Sequence, residues 1–158
     1  IRTGGVEVYP RLVAAEHRKP FSREKRSSGI KALDSLLGGG VECGTSTLVL
    51  GPAGTGKSLL LLQFVTAALK KGERAMICAF DEEVGLTFAR AKSMGIDLQK
   101  YVDQGLLFIE QIDAAELSPG EFSHRLRKMV MDNDVKVVVV DSLNGYQAAM
   151  PQENALIL

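Results

Sequence analysis

Charge of one sign is what this sequence lacks. Its 158 residues carry 19 lysines and arginines against 19 aspartates and glutamates, a formal net charge of zero. No global field therefore draws the chain to nucleic acid or to an anionic membrane. Cysteine is nearly missing as well. Cys43 and Cys78 are the two present, and their separation matches no metal-ligand spacing. They build no disulfide framework, so a reducing, cytoplasmic setting is expected. Cys78 sits in an apolar stretch and reads as a small buried hydrophobe. No apolar run approaches the roughly 18 residues that span a bilayer. No signal-peptide pattern is present either.

What is present is globular in composition, 46% hydrophobic and 24% charged, enough for one core. The chain is organised around residues 46–62, STLVLGPAGTGKSLLLL. They read as a buried strand, a glycine loop and a helix. Gly51, Pro52, Ala53, Gly54, Thr55, Gly56, Lys57 and Ser58 match the phosphate-binding pattern G-x-x-x-x-G-K-[ST] in full. The glycines let the backbone wrap closely around an anion. Successive N–H groups form a nest for phosphate oxygens, and the following helix adds its positive end. Lys57 places a cation between the β- and γ-phosphates, and Ser58 offers its hydroxyl to Mg²⁺. ATP with Mg²⁺ is the expected ligand pair.

The alternation Val6-Glu7-Val8-Tyr9 predicts a short strand that Pro10 ends. Residues 13–27 are polar and basic, with Arg18, Lys19, Arg23, Lys25 and Arg26 around Pro20. With Phe21 as the one aromatic among them, a solvated linker is favoured over a nucleic-acid site. Ala32, Leu33, Leu36 and Leu37 fit one face of a short helix that Gly38-Gly39-Gly40 stops. Beyond the loop, residues 57–70 read as a deeply packed helix. Residues 74–80, RAMICAF, have no polar alternation, as in a parallel strand covered on both faces. A helix over 84–94, a helical turn over 98–102 and a strand over 106–110 follow. Ser118 and Glu121 form a capping box with Pro119 at the first helical position. Phe122, Leu126, Met129 and Val130 form that helix's apolar stripe, and His124 lies off it, expected to be exposed. Alternating strands and helices predict a parallel α/β sheet with its ligand at the strands' carboxyl ends.

Residues 136–141, KVVVVD, form an apolar strand whose terminal Asp141 can reach Mg²⁺ or its water shell. Ser58 and Asp141 are therefore the candidate metal ligands. Hydrolysis also needs a carboxylate to orient or deprotonate water. The position after Asp141 is Ser142, which cannot serve. Asp81, Glu82 and Glu83, at the end of the second strand, are the candidates on the same rim.

Together these features resemble the KaiC-like branch of the RecA superfamily. The resemblance rests on SSGIKALDSLLGGGVECGTSTLVLGPAGTGKS over 27–58, FDEE over 80–83, ARAKSMGIDL over 89–98 and VVVVDSLNGY over 137–146. It implies a RecA-like P-loop NTPase core, an α/β fold whose parallel sheet carries helices on both faces. Residues 1–12 then look like the terminal strand of a preceding domain and 13–27 like a basic interdomain linker. Residues 28–158 look like the N-terminal portion of an ATPase domain, the second of two tandem copies, incomplete at its C-terminus. Counting back from Gly95 matches Asp81 and Glu82 to the family's catalytic carboxylate pair. Its first member is usually Glu; here it is Asp81. Such proteins form homo-hexameric rings with ATP between subunits, completed by a neighbour's cations. The resemblance also implies clock-type or other signalling partners, and autokinase activity at sites beyond Leu158.

In RecA-like sheets the strand after Asp141 inserts between its own strand and the P-loop strand. Apart from the final ALIL, residues 141–158 offer no candidate for it. Three functions are compatible with these residues. The first is a KaiC-like ATPase with Lys57, Asp81 and Glu82 as its catalytic residues. The second is a RecA-type DNA-dependent ATPase. The third is a non-catalytic, nucleotide-gated assembly or signalling module.

Overall fold

The computed structural model describes residues 5, 6, 8–10, 23–80, 82–113 and 117–148. Strand β1 (Lys25–Arg26) pairs antiparallel with β2 (Val41–Glu42), and helix α1 (Lys31–Leu36) lies between them. The end of the expected linker is thus a strand. Gly40 closes the ribbon at φ 120°, and a Cβ there would lie 2.1 Å from the Arg26 carbonyl oxygen, so only glycine fits. Asp34 on α1 accepts from Ser27 Oγ, from the buried Ser28 N–H at 2.7 Å and from Ser28 Oγ at 2.8 Å. Those hydrogen bonds, Ser27's first, hold its carboxyl below the usual carboxylate range. The apolar face expected on α1 is not buried. Leu36 is 86% exposed, because no described element packs over that side.

Helix α2 (Lys57–Lys70) leads to β3 (Arg74–Phe80), followed by α3 (Val84–Ser93), α4 (Leu98–Asp103) and β4 (Leu107–Ile112). Helix α5 (Pro119–Asp132), strand β5 (Val135–Asp141) and helix α6 (Leu143–Ala148) complete the order. The capping box delivers the expected cap: Ser118 Oγ accepts from Glu121 N at 3.2 Å. The three long strands form one parallel sheet in the order β4-β3-β5.

Strand β3 is the centre, buried from Ala75 to Phe80. Its alternate side chains serve two cores, as the period of a strand requires. Ala75 and Ile77 join Leu62, Val65 and Leu69 of α2, Ala91 of α3 and Leu98 of α4. Met76, Cys78 and Phe80 face Phe122 of α5 and Tyr146 of α6. Phe80, Phe122 and Tyr146 stand ring to ring, with centroids 5.4–5.6 Å apart. Burial pushes the Cys78 thiol up to about 12, with Glu110 adding to the shift, so it behaves as the expected hydrophobe. The α/β fold with helices on both faces of a parallel sheet is that of a RecA-like P-loop domain.

Two expected strands also fail to form. Residues 46–50 form no strand, and Leu48 and Leu50 are 62% and 82% exposed. A strand holds only when its backbone groups are paired. Among the described residues nothing pairs with the outer edge of β5, where an intervening strand would join 46–50 to the sheet. Of the expected strand over Val6–Tyr9, the described residues Val6, Val8 and Tyr9 lie outside any strand. Tyr9 instead meets the His124 ring at a tilt of 54°, with ring centroids 5.7 Å apart, and the Pro10 carbonyl meets His124 Nε2 at 2.7 Å. His124 is therefore half-buried and partnered rather than simply exposed. Residues 11–22 lie outside the described set, as do 149–158.

The aromatic triad should dominate stability near the carboxyl rim. Phe80→Ala is expected to cost about 3–5 kcal/mol in urea denaturation. Val138→Ala, at a position 38% exposed, should cost less than about 1 kcal/mol. Equal losses would place the core elsewhere.

Candidate functional site

The glycine loop leaves residues 46–50 and turns into α2 at Gly56, whose left-handed φ of 87° only glycine adopts without strain. No side chain caps α2. Its first N–H groups point into the loop, the arrangement that receives an anion. Residues 51–55 are exposed. Thr55 Oγ1 donates to the Pro52 carbonyl at 2.9 Å. Lys57 Nζ donates to the carbonyls of Gly51 at 2.9 Å and Pro52 at 2.8 Å. A Cβ on Gly51 would lie 2.8 Å from Thr55 Oγ1, so the loop closes on itself only because that residue has no side chain.

Beside the loop, a pocket lies between α2, α3 and the carboxyl ends of β3 and β5. Leu61, Leu62 and Val65 of α2, with Ile77 and Val139 of the sheet, give it an apolar wall. Its polar side chains are Ser58, Glu82, Thr87, Arg90 and Asp141. Register explains why they meet. Ala79 of β3 pairs with Asp141 of β5, so Glu82, three residues beyond Ala79, emerges on the rim that Asp141 ends. Ala79 is small and leaves the space open. Ser58 is in the first turn of α2, whose lower turns pack on the same sheet face.

Glu82 is held by a fork. Arg90 Nη2 donates to Oε1 at 2.5 Å and Arg90 Nη1 donates to Oε2. The hydrogen bond to Glu82 raises Arg90 above its ordinary range, and the charge of Asp141 adds to this against partial burial.

Among the described residues, no three or more His, Cys, Asp or Glu side chains gather to hold a metal. Ser58 and Asp141, on one pocket, nonetheless fit Mg²⁺. That ion takes one or two protein oxygens and fills its other positions with phosphate oxygens and water. The structure thus brings Ser58, Glu82 and Asp141 together and sets Lys57 beside them at the first position of α2, against the loop. Asp81 lies outside the described residues. Glu83 stands at the N-cap position of α3 without a side-chain capping bond, and it does not line the pocket. Arg90 was not anticipated from the sequence. The signal for it was an arginine in the second turn of a helix that begins just after three carboxylates, since helical side chains lean back toward the N-terminus.

Comparison with known proteins fits this geometry. A family profile described as "ATPase: KaiC" matches residues 26–156. The chain belongs to the KaiC ATPase family. It is 34% identical over 143 residues to "Circadian clock oscillator protein KaiC" of Thermostichus vulcanus, covering 89% of this chain and 27% of that protein. To the KaiC of Prochlorococcus marinus it is 39% identical over 107 residues, 68% of this chain and 21% of that one. To "Circadian clock protein KaiC2" of a Synechocystis strain it is 34% identical over 149 residues, 92% and 26% of the two chains. The chain thus spans about a quarter of the length of these KaiC relatives. Among its described residues no helix is long and apolar enough to cross a membrane.

Lys57 is the side-chain cation of the loop. Lys57→Ala should weaken binding of a fluorescent ATP analogue at least about a hundredfold, roughly 2.7 kcal/mol, with an unchanged circular dichroism spectrum. Unchanged affinity would refute the phosphate-binding assignment.

Proposed function

We propose that this chain is an ATP-binding domain of a KaiC-type ATPase that hydrolyses ATP with Mg²⁺ at a subunit interface. The observation that carries the reading is the convergence of Ser58, Glu82 and Asp141 on one pocket beside the glycine loop. The loop over 51–58, through its backbone N–H groups other than at Pro52, and the Lys57 ammonium bind the triphosphate. Ser58 and Asp141 would hold Mg²⁺, which would supply positive charge to offset that of the phosphates. Glu82, with Asp81 beside it in the chain, orients the attacking water and accepts its proton. The apolar wall of Leu61, Val65 and Val139 keeps bulk water from that side.

The family resemblance extends the reading to a homo-hexamer in which a neighbour's cations complete the site. The relatives are named circadian clock proteins. A cytoplasmic signalling role with clock-type protein partners, and autokinase activity in the full-length protein, are the corresponding extensions. Nucleic acid is disfavoured as a partner, because basic residues near the expected linker serve the fold. Lys25 Nζ donates to the Gly38 carbonyl at 2.7 Å and Arg26 pairs with Glu73.

Turnover and binding should separate. Asp81→Asn and Glu82→Gln, singly and together in the intact protein, should lower kcat by about a hundredfold or more and leave analogue affinity within about threefold of wild type. Full activity in the double variant would place the base elsewhere. Stimulation by single-stranded DNA would favour a RecA-type enzyme, and binding without turnover in wild type would favour a nucleotide-gated module.

A further inference from the structure

We propose that Arg90 is a positioning residue for Glu82, its guanidinium fork fixing where and how the Glu82 carboxylate faces the pocket it shares with Ser58 and Asp141. This rests on the ATPase reading above, in which Glu82 acts on water.

The argument starts from chain geometry. Glu82 precedes α3, and Glu83, in extended conformation at φ −65° and ψ 135°, turns the chain into the helix at Val84. Arg90 lies in the second turn of the helix. Its side chain leans back along the axis, as helical side chains do, and its long stem reaches the helix start. Thr87, three residues earlier and so on the same face, lines the same pocket. The face of α3 turned to the sheet thus carries Arg90 to the carboxyl rim.

The contact is a double one. Two N–H groups in one plane meet two carboxylate oxygens, which restrains translation and rotation together. A single lysine ammonium restrains only distance. Stability does not account for the pair. Its side chains are 37% and 29% exposed, and exposed pairs contribute only about 0–1 kcal/mol. Location accounts for it better. Among the described residues, the pairs Arg26–Glu73, Arg125–Glu110 and Lys136–Asp134 have no member on the pocket. Arg90 also sets a cation beside Asp141, whose charge supports its protonation. Without the fork, Glu82 would be a flexible side chain repelled by Asp141. Displacement of a reacting group by about 1 Å can cost on the order of a hundredfold in rate.

The test uses ATPase kinetics of the intact protein with Arg90→Ala, Arg90→Lys, Glu82→Gln and the Arg90→Ala/Glu82→Gln double variant. Arg90→Ala should lower kcat about ten- to hundredfold, while KM for ATP and affinity for a non-hydrolysable analogue change less than about threefold. Arg90→Lys should recover part of the loss, because it keeps the charge and loses the fork. In the Glu82→Gln background, Arg90→Ala should change kcat less than about twofold, since no carboxylate remains to be placed. If Glu82→Gln itself keeps full activity, the role assigned to Glu82 falls. If Glu82→Gln is impaired but Arg90→Ala keeps wild-type kcat, or its loss persists in full in the double variant, the positioning role is overturned while Glu82 stands. Should Arg90→Ala fail to fold, Arg90→Lys decides: reduced kcat at unchanged KM supports the role, and wild-type kcat overturns it.

Discussion

Parallel pairing of β3 with β5 is the interaction on which the site depends. Its ladder runs from Arg74–Val135 to Ala79–Asp141. The backbone groups along it cannot be left unpaired in a buried strand without cost. Because the strands are parallel, their carboxyl ends fall side by side, and both chains leave the sheet on one rim. One rung of slippage would turn every side chain of β5 to the opposite face. Asp141 would then point toward the Phe80 and Tyr146 side and away from Ser58. Register is secured by burial, because Val139 faces the α2 core and Val140 the α5 core.

The helices add depth to that rim. Leu62, Val65 and Leu69 seat α2 on β3 and β5. Burying each such side chain contributes on the order of 1.5–3 kcal/mol, far more than any single polar contact at the rim supplies. The apolar packing therefore sets where Ser58 stands, and the polar groups inherit their positions from it. The same holds for α3, whose Ala91 is fully buried beneath the sheet face. A small residue there lets the helix approach closely and turns Arg90 toward the pocket.

Much of this was legible from residue patterns. The uninterrupted apolar run of 74–80 announced a strand covered on both faces, and Ser118 with Glu121 announced the start of α5. The spacing of the glycine loop from Asp141 announced a nucleotide site. What escaped was non-local. Residues 46–50 have strand composition, but a strand forms only with a partner, and that partner is a matter of topology. The stripe of Leu33, Leu36 and Leu37 has helix periodicity, yet periodicity cannot say what lies opposite. Arg90 escaped because an arginine on a helix is ordinarily a solvated charge. Its meaning appears only when the rim of β3 places Glu82 within reach.

The two halves of the site are held by different forces, and this bears on how ligand enters. Glu82, Arg90, Ser58 and Asp141 hang from a packed sheet and two docked helices. The loop over 51–55 is exposed and closed by its own hydrogen bonds, with Lys57 on the carbonyls of Gly51 and Pro52. Those are bonds from a cation to neutral acceptors. A triphosphate offers the same ammonium anionic acceptors, which add attraction between opposite charges to a bond whose donor is already charged. The exchange therefore favours the ligand without any rearrangement of the core. Such a ligand shifts the loop only because it interacts differently with its two arrangements. The free energy that opens the lysine from its carbonyls must come from the phosphates themselves. In the proposed ATPase, a nucleoside without phosphates has no means to supply it, and the loop would read phosphate charge before base.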